Sequence, residues 1–142
     1  ESLTAERKRV EEAERRASAG LADDLAGRAE QIGGVAVVIA RVAADSPDAL
    51  RVISERLRSK LGVSFVFLAA DAKGRPAFLA AASDEVIGRG LRADEVVRAA
   101  AVLAGGGGGG RPNLAQAGGK DATQIDAAIE LARKTVRERL GG

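Results

Sequence analysis

Val63–Ala82 reads VSFVFLAADAKGRPAFLAAA, two apolar runs on either side of Asp71-Ala72-Lys73-Gly74. The first run, Val63–Ala70, mixes β-branched and aromatic residues without polar alternation, the pattern of a strand buried on both faces. The break after it carries the residues of a hairpin turn, so Arg75–Ala82 is a strand returning antiparallel to the first. Upstream, Val35–Val42 (VAVVIARV) is a third stretch of the same character. Between it and Val63, Ser46-Pro47-Asp48 supplies an N-cap, a proline at the first helical position and an early carboxylate. Leu50, Ile53, Leu57 and Leu61 then recur at helical spacing, with Arg51, Arg58 and Lys60 off that stripe. Strand, helix, strand at this spacing is a crossover between parallel strands, expected to be right-handed. One parallel and one antiparallel neighbour make the sheet mixed, with at least three strands.

Working outward, periodicity predicts a helix over about Ala93–Ala104 and a last one over about Thr123–Leu140, with Ile125, Ile129, Ala132, Val136 and Leu140 inward. Arg133, Lys134, Arg137 and Arg139 suit the negative end of that last helix, and Asp84-Glu85 and Asp94-Glu95 suit first helical turns. Toward the N-terminus, Glu1–Gln31 reads as one long charged helix that Gly33-Gly34 ends. Its seven-residue frame Leu3–Val10–Ala17 runs into Asp24, so a coiled-coil seam and a stub of an interdomain helix both fit. The expected fold is α/β: a long N-terminal helix, then a small layered domain with a mixed sheet flanked by helices and a glycine-rich loop. The division falls at 1–32, a helical linker, and 33–142, the globular part.

Composition narrows the chemistry. The 142 residues include no His, Cys, Met, Trp or Tyr and three Phe, with 22 Lys+Arg against 20 Asp+Glu. Without His and Cys there is no thiol nucleophile, no histidine base and no zinc site built by this chain. The acidic pairs are adjacent in sequence and so do not face one way on a helix, which removes a ready metal clamp or acid/base couple. No catalytic and no metal-binding residue is therefore expected. No apolar run approaches the roughly 20 residues of a membrane span. With no basic-then-apolar signal segment at the start, a cytoplasmic location is the expectation. The lack of Met leads us to expect a piece of a longer chain. Residues 1–33 hold six basic and eight acidic side chains, whereas 34–142 hold sixteen and twelve. A polyanionic partner is compatible with that basic globe.

The unusual stretch is Gly105–Asp121, GGGGGGRPNLAQAGGKD. A flexible linker is one reading, but strong helices bound the segment and its second half is not low complexity. The dinucleotide fingerprint should follow a strand and open a helix, and here a helix precedes it. A Walker loop fails for want of a Gly-Lys-Ser/Thr. Two readings stand: a glycine turn packed on the sheet, or a ribbon whose backbone N–H groups face an anion, flanked by Arg111 and Lys120.

The same run resembles the glycine-rich signature of the C-terminal domain of alanyl-tRNA synthetases, a DHH-associated family also found in RecJ-type exonucleases and related phosphoesterases. Gly105–Gly110, Arg111-Pro112 and Ala115–Gly119 match its pattern of two glycines, a variable residue, three glycines, Arg-Pro and Ala-Gln-Ala-Gly-Gly. The variable position is Gly107. The resemblance implies a tRNA-binding appendage that serves aminoacylation and editing performed by other domains. ATP, magnesium and zinc would belong to those domains, and this piece would itself be no enzyme. The implied partners are alanine-specific tRNA, the remaining domains of the parent ligase and, as in some members, a second copy of the chain. The alternative is the substrate-binding half of a DHH-type phosphoesterase or exonuclease, and a third reading is an oligomerisation module. Phe65, Phe67 and Phe78 lie on strands expected to be buried, which disfavours base stacking and favours recognition of tRNA shape and backbone. The candidate contact residues are Gly105, Gly106, Gly107, Gly108, Gly109, Gly110, Arg111 and Lys120, with Asn113 and Gln116 as hydrogen-bonding side chains that serve equally well to fix the loop.

Overall fold

The computed structural model describes residues 20–44 and 46–141. A six-stranded mixed sheet has the order β1-β2-β3-β4-β6-β5. Its strands are β1 (Glu30–Ile32), β2 (Val35–Arg41), β3 (Ser64–Ala72), β4 (Arg75–Ala82), β5 (Gly107–Gly110) and β6 (Leu114–Gly118). Only β2 and β3 run parallel, joined by the crossover helix α2 (Pro47–Leu61); every other neighbouring pair is antiparallel. Residues 20–27 are helical (α1), followed after β4 by α3 (Asp84–Gly88), α4 (Ala93–Leu103), a 3-10 turn (Ala122–Gln124) and α5 (Ile125–Leu140).

The layers follow from the two-sided burial of the central strands. Val66, Leu68, Leu79 and Ala81 face one core with Leu50, Ile53 and Leu57 of α2 and Ala22 and Leu25 of α1. Phe65, Phe67, Phe78 and Ala80 face the other, with Val97 and Ala100 of α4 and Ile125, Ala132 and Val136 of α5. Helices therefore cover both faces, which is why β2, β3 and β4 are apolar without alternation. The three Phe are fully enclosed, and Phe67 stacks on Phe78 with ring centroids 6.1 Å apart.

Local signals explain the element ends. Ser46 accepts a hydrogen bond from the Ala49 N–H, capping α2 with Pro47 in its first turn. The β3–β4 hairpin closes on Lys73 and Gly74, both at positive φ (56° and 89°), and the Gly74 N–H donates to Asp71. No helix among the described residues is long and apolar enough to cross a membrane.

Two expectations are corrected. The leading helix does not run to Gln31: Glu30–Ile32 is a strand, and Gly33-Gly34, at φ 58° and 82°, is the two-residue turn that folds it back onto β2. Left-handed glycines end helices and close hairpins alike, so the pair marked a reversal without saying which kind. The expected helix and heptad frame over residues 1–19 lie outside the described residues. The second correction concerns the glycine segment, which is not a loop but a strand pair at the edge of the sheet.

Candidate nucleic-acid interface

The six glycines perform two jobs. Gly105, at φ 76°, donates to the Val102 carbonyl, and Gly106 donates to the Ala101 carbonyl. Those two bonds are a Schellman motif terminating α4, which needs a left-handed residue at Gly105. Gly107–Gly110 then form β5, paired with β6 through Gly107↔Gly118, Gly108↔Ala117, Gly109↔Gln116 and Gly110↔Ala115. Pro112 and Asn113 make the turn, and Arg111 and Leu114 exchange both backbone hydrogen bonds across it, at 2.9 and 3.2 Å. By the alternation of an antiparallel ladder, the N–H and C=O groups of Gly108 and Gly110 turn away from β6 to the open edge of the sheet. Five of the six glycines are exposed, and Gly109 is partly covered.

The hairpin is anchored at both ends. At its tip, the carbonyls of Pro112 and Asn113 accept from the N–H groups of Ala93 and Ala82. At its base, the Gly119 N–H donates to Pro76, and the Ala104 carbonyl accepts from both Lys120 and Asp121. Side chains reinforce these anchors. Arg92 forks onto Asp94 with two bonds of 3.1 Å at the start of α4, and that hydrogen-bonded guanidinium holds the buried Asp94 carboxyl below the usual range. Asp121, also held below the usual carboxylate range, accepts from the Thr123 hydroxyl and backbone N–H to open the closing helix.

Two hollows border the hairpin. One, of about 330 Å³, lies between α2 and the hairpin and is lined by Arg51, Arg58, Arg111, Asn113 and the backbone of Gly109 and Gly110. The other, of about 640 Å³, opens toward the β3–β4 turn, with Arg75 and Lys120 among Pro47, Pro76 and the backbone of Gly106 and Gly107. Gln116 lines both. Its side chain accepts from Arg51 at 2.7 Å and donates to the Pro47 carbonyl at 3.0 Å, tying β6 to the first turn of α2.

Of the candidate residues, Arg111, Asn113, Gln116, Gly109 and Gly110 therefore meet at one hollow, while Lys120, Gly106 and Gly107 share the other with Gln116. Arg111 and Lys120 do not converge; they lie at opposite ends of the hairpin. Gly105 is a helix cap, and Gly108 lines neither hollow. Arg51, Arg58, Arg75 and Arg98 were not among the contact residues expected from the sequence. Arg98 reaches the ribbon from α4, its Nη2 lying 3.5 Å from where a side chain on Gly109 would begin. The only linear signal was Arg51 and Arg58, seven residues apart on the polar side of α2. Among the described residues no group of three His, Cys, Asp or Glu is placed to hold a metal ion.

Comparison with known proteins agrees with this architecture. The DHHA1 domain model matches residues 34–138. The chain is 37% identical over 140 residues to alanine–tRNA ligase of Acetivibrio thermocellus and 42% identical over 120 residues to that of Acidothermus cellulolyticus. It matches 99% and 82% of its own length but only 16% and 14% of those ligases. The crystal structure of the C-Ala domain from Aquifex aeolicus alanyl-tRNA synthetase superposes with a TM-score of 0.66 at 30% identity, covering 80% of this chain and 98% of that one. A DHH-domain member of the S1p family of ribosomal proteins shares the fold alone, at TM-score 0.56 and 14% identity over 88% of this chain and 31% of that one. The chain belongs to the DHHA1 domain family and has the architecture of the C-Ala domain of alanyl-tRNA synthetase.

Proposed function

We propose that this chain is the tRNA-binding C-terminal domain of an alanine–tRNA ligase. In this reading it grips the shape and backbone of tRNA, at the outer corner of the L, while other domains charge and edit. The observation that carries the reading is an edge strand without side chains, ringed by Arg51, Arg58, Arg75, Arg98, Arg111 and Lys120. Sugar–phosphate can approach such a backbone closely, and cations neutralise it without reading a base. Enclosure of all three Phe supports the same choice, since single-strand readers present aromatic rings to bases.

In this reading the fragment performs no chemistry, and ATP, magnesium and zinc are bound by the parent's other domains. The segment at the N-terminal end links the globe to those domains and supplies the contact in any homodimer, while α1 and β1, within residues 20–32, are built into the globe's core and sheet.

A filter-binding titration against alanine-specific tRNA at several salt concentrations tests the assignment. Log affinity should fall linearly with log salt, each phosphate contact contributing about 0.7–0.9 to the slope. Intact tRNA should compete far better than an isolated acceptor stem. No binding at low salt, or equal competition by the stem, would overturn it.

A further inference from the structure

We infer that the hollow between α2 and the β5–β6 hairpin is a seat for one phosphate group, held by the guanidiniums of Arg51, Arg58 and Arg111. Its natural occupant, a backbone phosphodiester of RNA, rests on the function proposed above.

Three guanidiniums line this hollow, and no carboxylate does. Among the described residues Arg51, Arg58 and Arg111 have no carboxylate within 4 Å, which holds for most arginines of the domain, but these three share a single hollow. Glu55 lies one helical turn from both Arg51 and Arg58, yet pairs with neither. Like charges gathered without a counter-charge repel, and an anion between them relieves that cost.

The site is also pre-organised. Arg51 is fixed by Gln116, a neutral amide that is itself held by the Pro47 carbonyl, so the guanidinium is positioned with its charge intact. A guanidinium has five N–H donors, and this contact uses one of Arg51's. Arg58 is half-buried beside it, while its side chain and that of Arg111 make no hydrogen bond among the described residues. The hairpin side of the hollow includes Gly109 and Gly110, which put no side chain in the way. At about 330 Å³ it is at the small end of ligand-binding hollows, which run to roughly 300–1,000 Å³. Planar forks around a small open space suit a tetrahedral oxyanion.

The test uses the ¹⁵N-labelled chain with inorganic phosphate, then with tRNA. Phosphate should shift the Gln116 side-chain amide and the Gly109 and Gly110 N–H signals saturably, and Arg58→Gln should abolish those shifts. With tRNA, Arg58→Gln should lower the salt slope by one phosphate contact, about 0.7–0.9. Arg56→Gln, exposed on α2 outside the hollow, should change neither. If Arg58→Gln unfolds, Arg111→Gln at the exposed hairpin tip carries the same test. If the chain binds tRNA but the variant keeps its full slope, the seat is overturned and the tRNA function stands. If tRNA fails to bind while the phosphate shifts appear and vanish with the variant, the seat stands for free phosphate and the tRNA function falls. Phosphate shifts absent from the wild type, or unaltered in the variant, also overturn the seat.

Discussion

Gly108 lies so close to Ala117 across the β5–β6 pair that a Cβ built on it would sit 2.6 Å from both Cα and Cβ of Ala117. Gly110 is similarly closed against Ala115, and Gly106 against Gly118 and Gly119. Gly107 has open space, and a Cβ on Gly109 would meet only the end of Arg98 at 3.5 Å. Alternate glycines are thus required by packing, and those between them are not.

Gly108→Ala should therefore destabilise the domain by about 1–3 kcal/mol, through overpacking and a backbone angle that side chains rarely adopt. Gly107→Ala should be neutral or stabilising by about 0.4–1 kcal/mol. Urea denaturation monitored by circular dichroism distinguishes the two. Equal losses would mean that β5 does not pair in this register.

Gly109→Ala separates folding from binding. The methyl has room in the free domain, since Arg98 can give way, but it adds bulk beside the cation-lined hollow. Its melting temperature should match the wild type while tRNA affinity falls several-fold. Unchanged affinity would mean that nothing comes close to the backbone there.

Much of the architecture could be read from the chain because burial on both faces leaves unbroken apolar runs, as at Phe65–Ala70, and because Ser46-Pro47 starts a helix by local chemistry. The strand β1 escaped because three residues, Glu30–Ile32, carry no period of their own and continue the helical spacing before them. The strand β5 escaped for a different reason: glycine is among the poorest strand formers, and Gly107–Gly110 is extended because it pairs with β6. Arg111, Asn113 and Gln116 could be picked from their motif, but their partners could not. Arg51 reaches Gln116 across 65 residues, a meeting created by the crossover that lays α2 over the sheet.

Asp94 gives an acid-dependent prediction. Its carboxyl is held below the ordinary value by the Arg92 guanidinium. A lowered folded-state pKa adds stability at pH values above the unfolded value, near 3.8, and that stability is lost as pH falls through the folded value. Asp94→Asn should reduce stability at neutral pH by about 1–2 kcal/mol, from the lost charge-assisted pair. It should also flatten the decline below pH ~4. A variant with an unaltered acid limb would show that Asp94 does not govern it.

Arg111 and Lys120 stand at opposite ends of a hairpin whose strand Gly107–Gly110 alone spans roughly 10 Å at about 3.3 Å per residue. One phosphate cannot serve both, so an RNA touching both must lie along the hairpin. Arg111→Ala and Lys120→Ala should each lower the salt slope of tRNA binding by about 0.7–0.9, and the double variant by the sum. Additivity is expected because well-separated sites without shared partners act independently. A double variant no worse than either single would mean that both residues neutralise the same phosphate. An unchanged slope for Lys120→Ala alone would confine the contact to the tip of the hairpin and the arginines of α2.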